Sequence, residues 1–393
     1  MLQRKTKDPR RSVGWMELKR GHHARPVEWL AEKFILLVSL SAIVVVFLIF
    51  LFVAREALPV ALGRADSSLA NKAHSLEQLD RMSKAEIMEY LDLTPKQFAE
   101  MNRETLKELM QVKLEAAAEA PKDKDAGLNT TTWGMMLKPH QWSGYDRPEY
   151  IWQPVSKIHK YNLVPLILGS LKVTLIALFF AVPLSLGAAI YVSQLANPKT
   201  KEWLKPAIEL LAGIPSVVLG FFALILMASM LQAIFGYQSR LNAFVAGIAL
   251  ALAVIPVVFS IAEDALTSVP RTYTQAALAL GSSKWQAAWR IVLPAAIPGV
   301  FAAVVLGFGR AIGETMVVLM ASGNASIVSA SIFDSTRTMT ATIAAELAET
   351  VFGGHHYRVL FLIGAMLFVV TFLSNMAADV IIHRLKGRLE GKA

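Results

Sequence analysis

The chain has 393 residues, 54% of them hydrophobic, and carries a formal net charge of +9. That apolar share exceeds the usual content of soluble domains, and it is gathered into runs, which excludes a single large soluble core and points to a polytopic membrane protein. The lack of cysteine excludes a disulfide framework and a thiolate metal site. The positive balance is read as the Lys and Arg excess of cytoplasmic loops rather than as a nucleic-acid footprint.

Residues 1–33 form a basic cytoplasmic arm containing "QRKTKDPRRSVGWMELKR". It reads as a solvated tail or a contact with anionic lipid headgroups, and no domain is there to position it on nucleic acid. The run 34–54, "FILLVSLSAIVVVFLIFLFVA", is too long for a signal-peptide core and is expected to be an uncleaved first transmembrane anchor. Residues 55–165 form a long extracytoplasmic insertion and linker. In it, Ser83 with Glu86 and Thr94 with Pro95 and Gln97 have the form of capping boxes. The stretch "KQFAEMNRETLKELMQVKLEAAAEA" after Thr94 is rich in strong helix formers. A small helical hairpin on the outer face is expected, followed over Gly127–Lys160 by an ordered linker whose aromatic rings lie near the headgroups.

Five further runs, near 166–193, 209–235, 242–262, 296–320 and 359–381, reach the roughly 20 apolar residues that a crossing helix needs. The fold class is therefore all-α, a polytopic helix bundle with six transmembrane helices, a core over 166–381 and a cytoplasmic tail over 382–393. Lys and Arg set the orientation. The stretches 1–33, 194–208, 263–295 and 382–393 hold nineteen of them, against three in 236–241 and 321–358. The positive-inside rule places both termini in the cytoplasm, and a segment as long as 55–165 crosses regardless of its charge. Lys172, near the outer end of the second run, is expected to snorkel. Pro183, Pro215 and Pro256 interrupt runs two to four as candidate hinges or ordinary kinks.

Metal and modification signals are weak. His22–His23 and His355–His356 are adjacent pairs, which do not face each other on a helix, and loop surface is the better reading. Asn129-Thr-Thr and Asn324-Ala-Ser fit a glycosylation sequon that recurs by chance. No nucleophile–base pair or metal-ligand spacing is found, so no catalytic residue, metal or cofactor is expected.

The cytoplasmic stretch 263–295 contains "QAALALGSSKWQAAWRIVLP", from Gln275 to Pro294. Gly281 permits the positive φ that ends a helix, and Ser282 or Ser283 can cap the next one. Trp285, Trp289 and Ile291 then fall at helical spacing and Pro294 opens the following span. The result is a helix–turn–helix with an apolar face open to a partner or folded back onto its own bundle.

This segment resembles the EAA loop of ABC-importer permeases, in which Glu-Ala-Ala, a Gly and Ile-x-Leu-Pro recur at fixed spacing. Ala276, Ala277, Gly281, Ile291, Leu293 and Pro294 match, and Gln275 stands in place of Glu. The resemblance implies a type I ABC-importer permease fold, in which this loop docks on an ATPase subunit. The stretches "VTLIALFFAVPLSLGAAIYVSQ", "GIPSVVLGFFAL", "GFGRAIGETMVVLMASGN" and "RTMTATIAAEL" resemble the phosphate-specific permeases, the Gly-Glu-Thr-Met run favouring the PstC-type subunit. The likeness covers the first anchor and roughly 150–393, and not the insertion at about 60–130.

"AAVVLGFGRAIGETMVVLM" puts Arg310 and Glu314 four residues apart in the fifth run, expected on one helix face and able to pair. Ionisable residues there cost roughly 2.5–3.5 kcal/mol each even on a lenient scale. Small residues at Gly309 and Gly313, and at Gly299, Ala303, Gly307 and Ala311, allow close helix packing, so the charged face should look into the bundle. The pair is either a structural lock or part of an anion path, for which the planar guanidinium suits phosphate.

The chain has no phosphate-binding loop ending Gly-Lys-Ser/Thr, so ATP hydrolysis falls to a separate subunit. The resemblance implies a PstA-type second permease, cytoplasmic ATPase subunits and an extracytoplasmic phosphate-binding protein as partners, with phosphate as cargo, in the inner membrane. The competing readings are a permease for another oxyanion such as sulfate or molybdate, a receptor or sensor with an outer helical domain, and a self-sufficient transporter or channel. The sensor lacks a cytoplasmic signalling domain, and the last lacks a visible inverted repeat.

Overall fold

The computed structural model describes residues 26–65, 84–91, 93–119, 125, 128–156 and 158–389. The His22–His23 pair and Ser83 lie outside them. The chain divides into two units, 1–52 and 53–393. Among the described residues, six helices are long and apolar enough to cross a membrane: Trp29–Ala61, Val164–Leu195, Ser216–Phe235, Ala243–Thr267, Lys284–Ile312 and His355–Arg384.

The first belongs to α1 (Pro26–Ala61). Its apolar residues from Phe34 to Phe52 are exposed on every side, the pattern of a helix made for lipid. Past Phe52 the helix turns amphipathic. Ala57 and Val60 are buried in a cluster with Trp152, Tyr161, Leu163, Leu166, Leu360 and Ile363.

Among its described residues the first part of the insertion forms the helices α2 (Lys84–Leu91), α3 (Pro95–Glu100) and α4 (Arg103–Glu119). Thr94 closes the expected capping box with Gln97. The single helix expected after it is broken at Met101–Asn102: Met101 is extended, and the Asn102 carboxamide accepts the Arg103 N–H at 2.7 Å. Asn competes with the helix ladder in this way and starts a new helix instead. Tyr90 and Met110 form the small core of this region with Ile87 and Leu91.

The linker departs from expectation. Helix α5 (Trp133–Leu137) and a hairpin of β1 (Trp152–Gln153) and β2 (Lys160–Tyr161), with Trp152 opposite Tyr161, bury Met136, Trp142, Ile151, Trp152 and Tyr161 in protein rather than leaving them at headgroups. Asn129 and Thr131 of the first sequon both hydrogen-bond the Ala65 carbonyl, at 3.3 and 2.6 Å. The sequon is thus a tether for the end of α1.

The second span is α6 (Val164–Ile190), continued by a π turn to Leu195, and α7 (Pro198–Leu211) follows it. The third was expected from 209, but its helix α8 (Ser216–Phe222) starts at Ser216, because Pro215 caps it rather than interrupting it. It runs through a π turn (Ala223–Met227) into α9 (Ala228–Phe235). The fourth, α10 (Ala243–Thr267), is the buried centre of the bundle. It is packed by α6 on one side and by α13 (Leu293–Ile312) on another, both through glycines. A Cβ on Gly247 would strike Ile176 of α6, one on Gly299 would strike Ala265, and one on Gly307 would strike Val258. Helix axes can approach closely only where such side chains are missing. Pro183 and Pro256 lie inside α6 and α10, and the Ser185 hydroxyl donates to the Ile255 carbonyl at 3.0 Å. That bond joins the two proline-containing stretches.

The fifth span also departs from expectation. Its helix extends from Lys284 but stops at Ile312, and a separate α14 (Met316–Ala321) follows a break. A loop leads to α15 (Met339–Glu346), and α16 (His355–Leu389) forms the sixth span. Lys172 does not snorkel: its ammonium donates to the carbonyls of Ser329 and Ser331 and pins that loop to α6.

Gly169 of α6 lets the same loop lie flat, since a Cβ there would collide with the Arg337 carbonyl and the Thr336 hydroxyl, whereas one on Gly187 of the same helix would meet nothing within 4 Å. Gly169→Ala should therefore cost about 1–3 kcal/mol, seen as a fall of several degrees in the unfolding midpoint of the purified protein. Gly187→Ala should leave the midpoint unchanged or raise it; equal midpoints for the two variants would contradict this packing.

Candidate functional site

Three places carry the candidate residues. The first is the hairpin of α11 (Arg271–Ala279) and α12 (Lys284–Ala287). α11 ends in a Schellman motif: the Ser282 N–H reaches the Ala277 carbonyl at 3.1 Å and the Gly281 N–H the Leu278 carbonyl at 3.0 Å, with Gly281 at φ +85°. Ser283 then closes a capping box with Gln286, at 3.2 and 2.9 Å. Of the matched residues, Ala277 is buried, Ile291 and Leu293 are half-buried, and Gln275, Ala276, Gly281 and Pro294 are exposed. Trp285 and Trp289 meet edge to face at 5.7 Å and are 55% and 45% exposed, beside exposed Tyr273 and Leu280. The apolar face thus points away from the chain's own bundle, while Ala287, Ala288 and Val292 hold the hairpin to it. Pro294 does not open the span. A π turn (Ala288–Val292) carries the helix without interruption from α12 into α13.

The second place is the break between α13 and α14. Arg310 sits in the last turn of α13; Gly313 caps it, and Glu314 and Thr315 leave the helix. The expected common helix face therefore does not exist. The Glu314 carboxylate accepts the Thr315 N–H at 3.2 Å, its carbonyl accepts the Thr340 hydroxyl at 2.8 Å, and its Oε2 stands 3.7 Å from Arg310 Nη2. The two charges also face differently from expectation. The Glu314 side chain is 6% exposed and turned into the bundle, whereas that of Arg310 is 53% exposed. Of the small residues, Ala303 and Gly307 face α10, Gly309 comes within reach of Asn375 on α16, and Gly313 marks the helix end instead of a packing row.

The third place was missed by sequence reasoning. The Glu346 carboxylate at the end of α15 accepts Arg337 Nη1 at 2.9 Å and Trp152 Nε1 at 3.1 Å, and lies 3.2 Å from His356 Nε2. His356 stacks on Tyr161 at 5.8 Å, and His355 is buried, so this pair is not loop surface. At the other end of α15, Thr338 caps the helix and the Met339 N–H donates to Ser170 of α6 at 2.9 Å. Only "RTMTATIAAEL" hinted at this site, and nothing local in it names partners 194 residues away.

A helix bundle that carries a hairpin with an exposed tryptophan face and a polar break within a span has the makings of a membrane permease component. Residues 162–390 match the family described as the binding-protein-dependent transport system inner membrane component. The chain is 36% identical over 223 residues to the probable ABC transporter permease protein YqgH of Bacillus subtilis, covering 56% of this chain and 72% of that one. It is 34% identical over 256 residues to the phosphate transport system permease protein PstC of Mesorhizobium japonicum, covering 60% and 77%. To PstC of Pasteurella multocida it is 32% identical over 264 residues, covering 61% and 80%. The chain belongs to the family of binding-protein-dependent transport system inner membrane components. It is a mostly helical, multi-pass inner-membrane permease component, with six candidate spans among the described residues.

The break depends on Thr340. Thr340→Val should strand the buried Glu314 carbonyl and cost about 1–3 kcal/mol, lowering the unfolding midpoint, whereas Thr340→Ser should retain it. Equal midpoints for Val and Ser would show that the carbonyl has another partner.

Proposed function

We propose that this chain is the permease subunit of an ATP-driven importer that passes inorganic phosphate, delivered by an extracytoplasmic binding protein, through a path lined by Arg310 and Glu314. The observation that carries the reading is the half-exposed Arg310 guanidinium, flanked by apolar stretches of a membrane-length segment and leashed to a buried Glu314. A guanidinium in that position needs a polar partner outside its own chain. A water-filled path shared with a second, PstA-type permease supplies one. Arginine stays charged and offers two parallel donors to a phosphate oxygen pair, and Glu314, 3.7 Å away, competes for it and keeps the anion from binding too firmly to leave. The relatives named for phosphate transport support phosphate over sulfate or molybdate.

The exposed Trp285–Trp289 face is the surface we assign to the ATPase, and Gln275, in place of the family Glu, keeps a hydrogen-bonding group without the charge. The charge bias supports both termini, α7 and the 271–294 hairpin on the cytoplasmic side and the insertion on the other. Single cysteines introduced at Lys284 and Glu100 test this orientation. In intact cells an impermeant thiol reagent should label the second and spare the first, and the reverse pattern would invert it.

Two substitutions separate path from docking. Arg310→Gln should cut phosphate uptake at least about tenfold, or about 1.4 kcal/mol of barrier, while the ATPase still co-purifies. Gly281→Val should release the ATPase at unchanged membrane abundance, because a β-branched residue resists φ +85°. Exchanging the pair, Arg310→Glu with Glu314→Arg, should not restore uptake, since position 314 is buried and position 310 is not. Full uptake by the exchanged protein would remove the pair from the path.

A further inference from the structure

Helix α7 is built the opposite way from a helix facing water. Its inward side presents Lys201 and Lys205, which grip the buried Glu263 of α10 at 2.8 and 2.7 Å, together with Leu204 and Ile208 packed on the core. The hydrogen bond to Glu263 raises the Lys205 ammonium above its ordinary pKa, against the opposing pull of burial. The side turned away from the bundle presents Trp203, 82% exposed, and Leu210, 74% exposed, flanked by exposed Ala207 and Leu211. Glu202 and Glu209 are also exposed, but at 3.6 residues per turn they fall on a separate flank, on average roughly 135° around the helix from the apolar one.

With 14 residues α7 is too short to cross the membrane. It starts three residues beyond Leu195, where the second span ends, and stops five before Ser216, where the third begins. Both ends are therefore held at one membrane surface. After the non-helical link 212–215, exposed apolar surface resumes at Val217, Val218, Phe221 and Phe222 of the third span.

We propose that α7 lies flat in the cytoplasmic membrane–water interface, with Trp203, Ala207, Leu210 and Leu211 in the lipid boundary and Glu202 and Glu209 in water. The bilayer is the occupant that fits one helix with an apolar flank and an acidic flank set at an angle to it, since an in-plane helix meets both media at once. Tryptophan is the side chain most at home at that depth, with an apolar body and one N–H donor. Through Lys201 and Lys205 this lipid-seated helix is fastened to the last turns of α10, eight residues before Arg271 opens the docking hairpin.

The test uses the complete transporter in lipid nanodiscs. The chain has no native cysteine, so spin labels are attached singly at Trp203→Cys, Leu210→Cys, Glu202→Cys and Glu209→Cys, with the partner subunits' cysteines replaced. Labels at 203 and 210 should collide preferentially with oxygen, and those at 202 and 209 preferentially with a water-soluble nickel chelate. Ala207→Cys, a small change at an exposed position, gives the same reading if loss of Trp203 prevents assembly. Shielding of 203, 207 and 210 from both reagents would show that a protein partner covers the flank. Nickel access equal to that at 202 and 209 would show that water does. Either result overturns the proposal.

Discussion

A helix that ends inside a bilayer must find partners for its last carbonyls within the protein, because lipid offers none. At the break between α13 and α14 the Gly313 and Glu314 N–H groups donate to the Gly309 and Ala311 carbonyls at 3.4 and 3.3 Å, and the break's remaining groups are served by side chains. Thr340 donates to the Glu314 carbonyl, and the Glu314 carboxylate takes up the Thr315 N–H. Thr340 can reach only because α15 is held from both ends. Its first turn is tied to Ser170 of the second span, and its last residue, Glu346, gathers Arg337, His356 and Trp152. The position of the Arg310–Glu314 pair thus follows from a short helix that contains neither residue. A pair on an unbroken helix would have turned both side chains the same way; the break lets one face the bundle and the other leave it.

The features legible in the sequence are those whose cause lies within a few residues. Gly281 with Ser283 and Gln286, and Thr94 with Gln97, specify helix ends through bonds spanning three to five positions, and the structure forms them. The long apolar runs are legible because spanning requires nothing but length and composition. What was not legible depends on distant partners. The fifth run is apolar on both sides of Gly313, so nothing local distinguishes a continuous helix from a broken one; the deciding hydroxyl is 26 residues away. Lys172 looked like an ordinary snorkelling residue because its carbonyl partners sit 157 and 159 residues further on. The aromatic linker was misplaced for a related reason. Trp152 and Tyr161 suit the membrane interface as single residues, and only their pairing in a hairpin, with Glu346 to accept the indole N–H, draws them into the protein.

Glycine has two different uses in this chain. In the hairpin Gly281 supplies a backbone angle, with nothing near the place where a side chain would sit. In the bundle Gly247, Gly299 and Gly307 supply absence of volume, and α10 can be the centre only because α6 and α13 both come close to it at those positions. Alanine can occupy parts of such a row, as Ala303 does, but it could not replace Gly281 without strain. The same residue type therefore predicts opposite tolerances, which are set by the backbone in one case and by the neighbour in the other.

In the function proposed here, force enters at the Trp285–Trp289 face and must reach Arg310. The helix is continuous from Lys284 to Ile312, about 43 Å at 1.5 Å per residue, so displacement at one end is carried to the other rather than absorbed by a joint. It passes through the π turn at Ala288–Val292, where the ladder is locally widened. The fourth span, which enters the same hairpin from the other side, is held differently: Glu263 is clamped by two lysines of α7. One arm of the hairpin is thus an uninterrupted rod packed on the other through Gly299 and Gly307, while the other is in addition fastened to α7. The turn at Gly281, open to solvent and built on a single left-handed residue, is where the two arms meet. The uninterrupted arm is the one that carries Arg310 to the edge of the break.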